Sequence, residues 1–248
     1  METCSNCGTE ITGKYCHNCG QEKVSKRLGT GYLFSQAVHG IFHWESSILY
    51  TFKELLIRPG TVVQNYIKGK RKPYVKPIAY FIFIQALYVL TVIWMSAGEP
   101  EKNFSAFNIL SFGSSAAEEN RQIHNIVAST VKYYIFVIPL IFAFFLKVFT
   151  KKQNDLNYAE SMVFTFYVFG SMLVFQVFTL LLTLISDWLW NAGFLFVYIY
   201  LAYSVIQFSG YGAGKGILKS IMIIVCGLVT FQLLMAMFQF TYFSFFFH

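Results

Sequence analysis

Five long apolar runs occupy most of this chain, and they limit its fold more than any other feature. They cover residues 77–95, 133–149, 158–185, 189–208 and 217–247. A helix needs about 17 to 25 apolar residues to cross a bilayer, so each run is long enough, and the third and fifth would tilt or extend past the lipid. Only 12% of the residues are charged, against about a quarter in soluble domains. We predict an all-α polytopic membrane protein with a five-helix transmembrane domain at 77–248.

The distribution of positive charge predicts the orientation of these helices. Of the 19 Lys and Arg, all but three precede the first run or flank the connections after the second and fourth. The exceptions, Lys102, Arg121 and Lys132, share the connection at 96–132 with four glutamates. Because cytoplasmic loops are enriched in Lys and Arg, the N-terminus is expected in the cytoplasm and the C-terminus outside. The first 30 residues lack the apolar stretch of a cleavable signal.

Two cysteine pairs near the N-terminus predict a metal site. Cys4 and Cys7 form one Cys-x-x-Cys-Gly knuckle, and Cys16 and Cys19 form a second. Thiolates two residues apart on a tight turn supply two corners of a tetrahedral Zn²⁺ site, and the glycines after each pair allow a left-handed backbone. The eight residues between the knuckles suffice for a short hairpin. We predict a zinc ribbon at 1–27, folded largely by its metal.

Other roles for these cysteines fit less well. Two disulfides would need an oxidising compartment, whereas the predicted orientation places the ribbon in reducing cytosol. A thioredoxin-like redox pair would accompany a βαβ pattern, which is not visible. Haem attachment would need His after the second Cys, where Gly stands in both knuckles. Iron in place of zinc remains open on spacing alone.

Residues 28–76 predict amphipathic juxtamembrane helices that lie on the membrane or against the bundle. The first helix would present Phe34, Val38, Ile41 and Phe42, and the second Ile48, Leu49, Phe52, Leu55 and Leu56. Pro59 and Gly60 then predict a turn. Thr61 and Gln64 form a capping-box pattern, Val62, Val63, Tyr66 and Ile67 form an apolar stripe, and Gly69 is placed to end the helix.

A basic cluster follows, immediately before the first predicted span. It consists of Lys68, Lys70, Arg71, Lys72 and Lys76. Such a cluster attracts anionic lipid headgroups by about 1 kcal/mol per charge near the surface, so we predict a contact with anionic lipid. The same residues would also enforce topology without a specific lipid site. Nucleic acid is not favoured as a partner, because a patch held against lipid leaves little room for a duplex.

The strings around this cluster resemble those of a known family. They are Arg58-Pro59-Gly60, Tyr66-Ile67-Lys68-Gly69-Lys70-Arg71-Lys72 and Tyr74-Val75-Lys76-Pro77, after a ribbon that ends in Cys19-Gly20-Gln21. The chain resembles an uncharacterised group of bacterial membrane proteins, domain of unknown function 3667. The resemblance covers residues 1–80 with specific motifs and the remainder only as hydrophobic spans. It implies a location in the bacterial inner membrane, and it supplies no catalytic residues because none are assigned in the group.

Catalytic chemistry finds little support in the sequence. Ion-coupled transporters and intramembrane proteases place ionisable residues deep in a span, but the predicted span interiors hold only neutral polar groups. Those groups include Gln85, Gln176, Gln207, Gln232 and Gln239, which we expect to bridge helices. His39 and His43 share a helical face with Glu45 nearby, but solvated interfacial histidines are the favoured interpretation. Cys226 is expected to act as a small apolar residue.

Two hypotheses of function follow from these features. The favoured one is a non-enzymatic interaction or scaffold protein, whose zinc ribbon docks a cytosolic protein at the membrane while the basic cluster contacts anionic lipid. The alternative is a carrier or channel for a small or lipidic solute, with the glutamine-bearing helices lining its path. Either protein could form an oligomer.

Overall fold

Eight helices and one small sheet make up the described part of the chain. The computed structural model describes residues 2–23, 27–39, 45–96, 136–151, 155–186 and 188–246. The strands are β1 (Glu2–Thr3) and β2 (Glu10–Ile11), and the helices are α1 (Thr30–His39), α2 (Glu45–Ile57), α3 (Pro59–Ile67), α4 (Pro77–Ser96), α5 (Val137–Thr150), α6 (Tyr158–Leu182), α7 (Trp188–Ser209) and α8 (Ala213–Phe246). His43 and most of the predicted 96–130 loop lie outside the described residues.

Three of the helices are long and apolar enough to cross a membrane. These segments are Pro77–Met95, Tyr158–Leu182 and Ala213–Leu234, and shorter apolar helices occupy Val137–Thr150 and Leu195–Ser209. A mostly helical membrane protein is therefore confirmed. The count of five spans and the orientation stay predictions, since three of the described helices, not five, meet the length and hydropathy of a full crossing.

Helix α6 is the centre of the bundle and packs against α4 on one side and α7 on another. Its contacts with α4 include the Tyr80 hydroxyl, which lies 3.2 Å from Ser171 Oγ. It runs antiparallel to α7, since Phe164 near its start stacks on Phe208 near the end of α7, with ring centroids 4.9 Å apart. The largest buried side chains cluster around the first half of α6, so the core lies at this end of the bundle.

Helices α1 to α3 pack against the bundle, and Ile48, Phe52 and Leu55 of the predicted α2 stripe lie in or against the core as expected. The α3 stripe is confirmed, because Val62, Val63 and Tyr66 are almost fully buried. In α2, Leu55 is buried as expected, whereas Leu49 is 71% exposed. In α1, Leu33 is buried and Phe34 is half exposed. Apolar spacing thus predicts most of the packed face of α2 and α3 and misplaces the edge of the packed surface at Leu49 and Phe34. Ile41 and Phe42 of the predicted α1 stripe lie outside the described residues.

The predicted capping box at Thr61 and Gln64 is wrong, because α3 begins two residues earlier. Arg58 is its N-cap, with no side-chain cap bond, and Pro59 is the first helical residue. Proline suits that position because its fixed φ matches the helix and it has no N–H to satisfy. The Gln64 amide instead donates to the Phe208 carbonyl at 3.0 Å. Pro59 and Gly60 therefore start a helix rather than form a separate turn.

The end of α3 is confirmed at Gly69, which has a φ of +101°. The Gly69 N–H donates to the Tyr66 carbonyl at 3.2 Å, and the Lys70 N–H donates to the Asn65 carbonyl at 2.9 Å. This pair of bonds is the Schellman motif, which requires a left-handed residue that glycine adopts without strain. It fixes the backbone where the basic cluster begins.

Candidate metal centre and basic loop

Each cysteine pair forms a tight hairpin, and the two hairpins are built alike. In the first, β1 and β2 flank the knuckle and pair antiparallel. In the second, Tyr15 and Glu22 form the corresponding bridge. The N–H of the residue after each pair, Gly8 and Gly20, donates to the carbonyl of the first cysteine at 2.8 Å. Both glycines have positive φ, as the knuckle pattern predicts. The paired strands therefore enclose each knuckle rather than lie only between the two.

The four sulfurs face one another. The Sγ atoms of Cys4, Cys7, Cys16 and Cys19 all lie within 4.8 Å of one another. Cys4 and Cys19 are 3.6 Å apart, and Cys7 and Cys16 are 3.5 Å apart, so neither pair is a disulfide. Zn–S bonds of about 2.3 Å in a tetrahedron separate the sulfurs by about 3.8 Å. The thiols therefore fit a four-sulfur metal site, in which a metal replaces their protons.

The surroundings of the thiols differ in a way that favours metal capture. Contacts with the side chain and backbone of Thr9 lower the pKa of Cys7 to about 6. For Cys16, a backbone bond from Cys19 lowers the pKa, but desolvation and the contact with Cys7 outweigh it and raise the pKa to about 11. The Cys7 thiol therefore loses its proton more readily than the Cys16 thiol, whose proton a bound metal would displace into solvent.

A buried glutamine joins the ribbon to the basic loop, which we define as residues 68–72. Gln21 is 5% exposed. Its Oε1 accepts the backbone N–H groups of Arg71 and Lys72, both at 3.0 Å. Its Nε2 donates to the Gly69 carbonyl at 2.8 Å. The Gln21 amide oxygen accepts twice and its nitrogen donates once, so this side chain holds three backbone groups of the loop in place.

Some of the basic residues are exposed to solvent, and others contact the rest of the protein. Lys68, Lys70 and Lys72 are exposed, whereas Lys76 is half-buried. The Arg71 guanidinium donates to the Tyr66 carbonyl at 3.3 Å and to the Tyr32 hydroxyl at 3.2 Å, and lies over both rings. Arg71 is therefore used mainly within the protein, and the three lysines of the basic loop carry its outward charge.

An ion pair fastens the chain after the ribbon to the start of α6. Arg27 Nε and Nη2 donate to the two carboxylate oxygens of Glu160, each at 2.7 Å. The Glu160 side chain is 4% exposed. Asn157 and Glu160 also form a capping box at this helix end, and the Asn157 amide donates to the Leu28 carbonyl at 2.7 Å. A bidentate pair on a capped helix end gives this attachment a fixed geometry.

Polar groups of α7 bind the ends of α2 and α3. The hydroxyls of Tyr200 and Tyr203 donate to the carbonyls of Leu55 and Ile57, at 2.9 and 2.7 Å. Gln207 accepts the Gly60 N–H at 2.7 Å. These contacts satisfy backbone groups that a helix end leaves without intrahelical partners. Gln207 therefore bridges two helices, as the sequence predicts.

Two other predicted bridging glutamines lack such partners. Gln85 in α4 and Gln176 in α6 are 4% and 8% exposed. In the described part of the chain, both side-chain polar atoms of Gln85 lack a hydrogen-bond partner, and so does the Oε1 of Gln176. Leaving a buried polar group without a partner costs about 1 to 3 kcal/mol. The Cys226 side chain is half-buried within α8.

Three of the residues that build this region were not identified from the sequence. Gln21 was noted only as part of a motif, and Arg27 only as a positive charge. The signal for Glu160 was present, since Asn157 three residues earlier completes a capping-box pattern before an apolar run. For Gln21 and Arg27 the sequence holds no equivalent signal, because their partners lie 48 or more residues away.

Comparison with known proteins gives one match. Residues 45–89 match the family model described as "Protein of unknown function (DUF3667)". The matched segment covers α2, α3, the basic loop and part of α4. The resemblance seen in the sequence is thus confirmed for this part of the chain. No curated protein and no solved structure matches it significantly.

Proposed function

We propose that this protein is a non-enzymatic interaction protein of the bacterial inner membrane. Its N-terminal ribbon binds Zn²⁺ and docks a cytosolic protein partner, while the basic loop contacts anionic lipid headgroups. The bundle anchors both through five spans, with the N-terminus in the cytoplasm and the C-terminus outside. The distribution of Lys and Arg supports this orientation.

The observation that carries the proposal is the way the ribbon is attached. Gln21 and Arg27 fasten one side of it to the basic loop and to α6. Many of its other residues, including Tyr15 and His17, are exposed. Tyr15 is 57% exposed with the Lys14 ammonium over its ring, and exposed aromatic residues are frequent anchors of protein interfaces. A metal-folded module held at the membrane with a free aromatic face suits docking rather than catalysis.

The test of this proposal is capture of a partner from native membranes by the full chain. Tyr15→Ser should reduce capture of a specific protein while leaving the metal content unchanged, and Cys4→Ser should abolish both. Lys219→Gln, on the distant helix α8, is the matched control and should capture the partner normally. If the same proteins are recovered with all four chains, the ribbon is not a docking module.

A second candidate function, a carrier or channel, has one observation in its favour. In the described region the buried amide of Gln85 and the Oε1 of Gln176 lack hydrogen-bond partners, and polar groups within spans often mark the path of a solute. Stopped-flow light scattering of proteoliposomes would measure permeability to glycerol and urea. A carrier predicts permeability above that of protein-free vesicles and its loss in Gln85→Leu. Equal permeability with and without the protein would dismiss this candidate for these solutes.

A further inference from the structure

We propose that the metal-loaded ribbon is a structural part of the lipid site: Gln21 fixes the basic loop so that Lys68, Lys70 and Lys72 together bind the phosphate of an anionic lipid headgroup. This inference rests on one part of the proposed function, namely that the basic loop faces lipid. It assigns to the ribbon a second role, which needs no protein partner.

The basic loop has few other restraints on its backbone. The Schellman bonds hold its start, at Gly69 and Lys70. Beyond that point, the N–H groups of Arg71 and Lys72 are both satisfied by Gln21 Oε1. Without Gln21, these two groups and the Gly69 carbonyl would turn to water and the loop would sample other conformations. The Lys72 side chain starts from this backbone, so its position relative to Lys68 and Lys70 depends on the glutamine.

Gln21 in turn depends on the metal. It follows the second knuckle directly, and its own carbonyl accepts the Cys16 N–H at 2.9 Å. A ribbon of this length buries too little apolar surface to fold alone, and metal binding supplies its folding free energy. Loss of the metal therefore removes the fixed position of Gln21. The basic loop then loses three hydrogen bonds at once.

Charge also links the two parts. The position that a Gly20 side chain would occupy lies 3.6 Å from Lys72 Nζ, which places this ammonium beside the second knuckle. Four thiolates around Zn²⁺ carry a net charge of −2, and a nearby ammonium offsets it. The same lysine is exposed and close to Lys70 in the chain, so a phosphate would meet a cluster whose geometry the ribbon supports.

The experiment measures binding of dioctanoyl phosphatidylglycerol to the full chain in neutral detergent by thermophoresis. Dioctanoyl phosphatidylcholine and inorganic phosphate are the comparison ligands. The variants are the triple Lys68→Gln/Lys70→Gln/Lys72→Gln, then Gln21→Leu, and Gln21→Glu, which keeps the acceptor but cannot donate to Gly69. Lys14→Gln, an exposed ribbon lysine outside the basic loop, is the matched control. Metal content is measured for every sample.

The expected result is selective binding of phosphatidylglycerol that the triple variant loses and Lys14→Gln keeps. Gln21→Leu with its metal retained, and the wild-type chain after chelation, should both bind on the order of tenfold more weakly, a typical coupling between linked sites. Gln21→Glu should fall between them and the wild type. Equal affinity for inorganic phosphate would overturn the lipid assignment.

Two other outcomes would also overturn the inference. If the triple variant binds normally, the phosphate site lies elsewhere. If the triple variant loses binding but chelation and both Gln21 variants leave the affinity unchanged, the basic loop needs no ribbon. Neither outcome affects partner capture through Tyr15, so failure of this inference and failure of the docking proposal are separable.

Discussion

Gly60 shows how a single residue decides whether α3 can approach the bundle. A Cβ atom added at this position would lie 2.5 Å from the Phe208 nitrogen and 2.6 Å from the Gln207 carbonyl carbon. Both atoms belong to backbone, which cannot rotate away as a side chain can. The close approach allows the Gly60 N–H to reach Gln207. Glycine is required here for space rather than for a special backbone angle.

We predict that Gly60→Ala destabilises the protein by about 2 to 3 kcal/mol, because α3 must shift away from α7 and lose its bonds to that helix. The thermal midpoint in detergent should fall by roughly 5 to 10 °C. Gly212→Ala is the control, since a Cβ there meets nothing within 4 Å, and its midpoint should stay close to that of the wild type. An unchanged midpoint for Gly60→Ala would mean that the contact between α3 and α7 is loose.

At the scale of elements, two capping patterns in the sequence have opposite outcomes. Asn157 and Glu160 form a complete capping box at α6. Thr61 and Gln64 show a similar pattern but lie inside α3, because Pro59 already begins that helix. A proline at the first helical position therefore outweighs a capping box two residues later. The two sites form a matched pair for a test.

We predict that Asn157→Ala costs about 1 to 2 kcal/mol of unfolding free energy, since it removes a cap and the bond to the Leu28 carbonyl. Thr61→Ala, at an exposed position, should change it by less than about 0.5 kcal/mol. Denaturant unfolding followed by circular dichroism measures both. Equal effects of the two substitutions would contradict the observed start of α3.

The sequence predicts elements well where the solvent dictates them and less well where distant partners do. The apolar runs place α4, α6 and α8 within a few residues of their observed starts, because lipid demands long apolar helices. The cysteine knuckles are also predicted from local sequence, since the four cysteines and the two glycines all lie within residues 4–20. The exposure of Leu49 and the hydrogen bonds of Gln21 to the basic loop depend on residues far along the chain. Periodicity and spacing do not reveal such distant neighbours.

At the scale of the whole molecule, the ribbon and the bundle have separate sources of stability. The ribbon is expected to hold one Zn²⁺ per chain through Cys4, Cys7, Cys16 and Cys19, whereas the helices depend on packing around α6. Chelation should therefore expose the ribbon to trypsin at Lys14 and Lys23 while the helical circular dichroism signal stays nearly constant. Metal analysis and timed proteolysis measure this. Large loss of helix on chelation would show that the bundle itself needs the metal.

The orientation also belongs to the whole molecule, because it depends on the sum of all loops. Five spans with a cytoplasmic N-terminus place residue 248 outside. Alkaline phosphatase, which is active only outside the cytoplasm, should be active when fused there, and a fluorescent protein that folds only in the cytoplasm should stay dark. The reverse pattern would require either an even number of crossings or an N-terminus outside the cytoplasm.

The long-range bonds of the ribbon and α3 also set an order of assembly during synthesis. Arg27 bonds to a residue 133 positions later, and Gly60 to one 147 positions later. At about 5 to 20 residues per second, the ribosome needs roughly 7 to 30 s to make the second partner. The apolar stripe of α3 is therefore made early and covered late, first by α6 and then by α7. A chain truncated before α7 would leave part of that stripe exposed, and exposed apolar surface is a feature by which proteases recognise an unfinished protein.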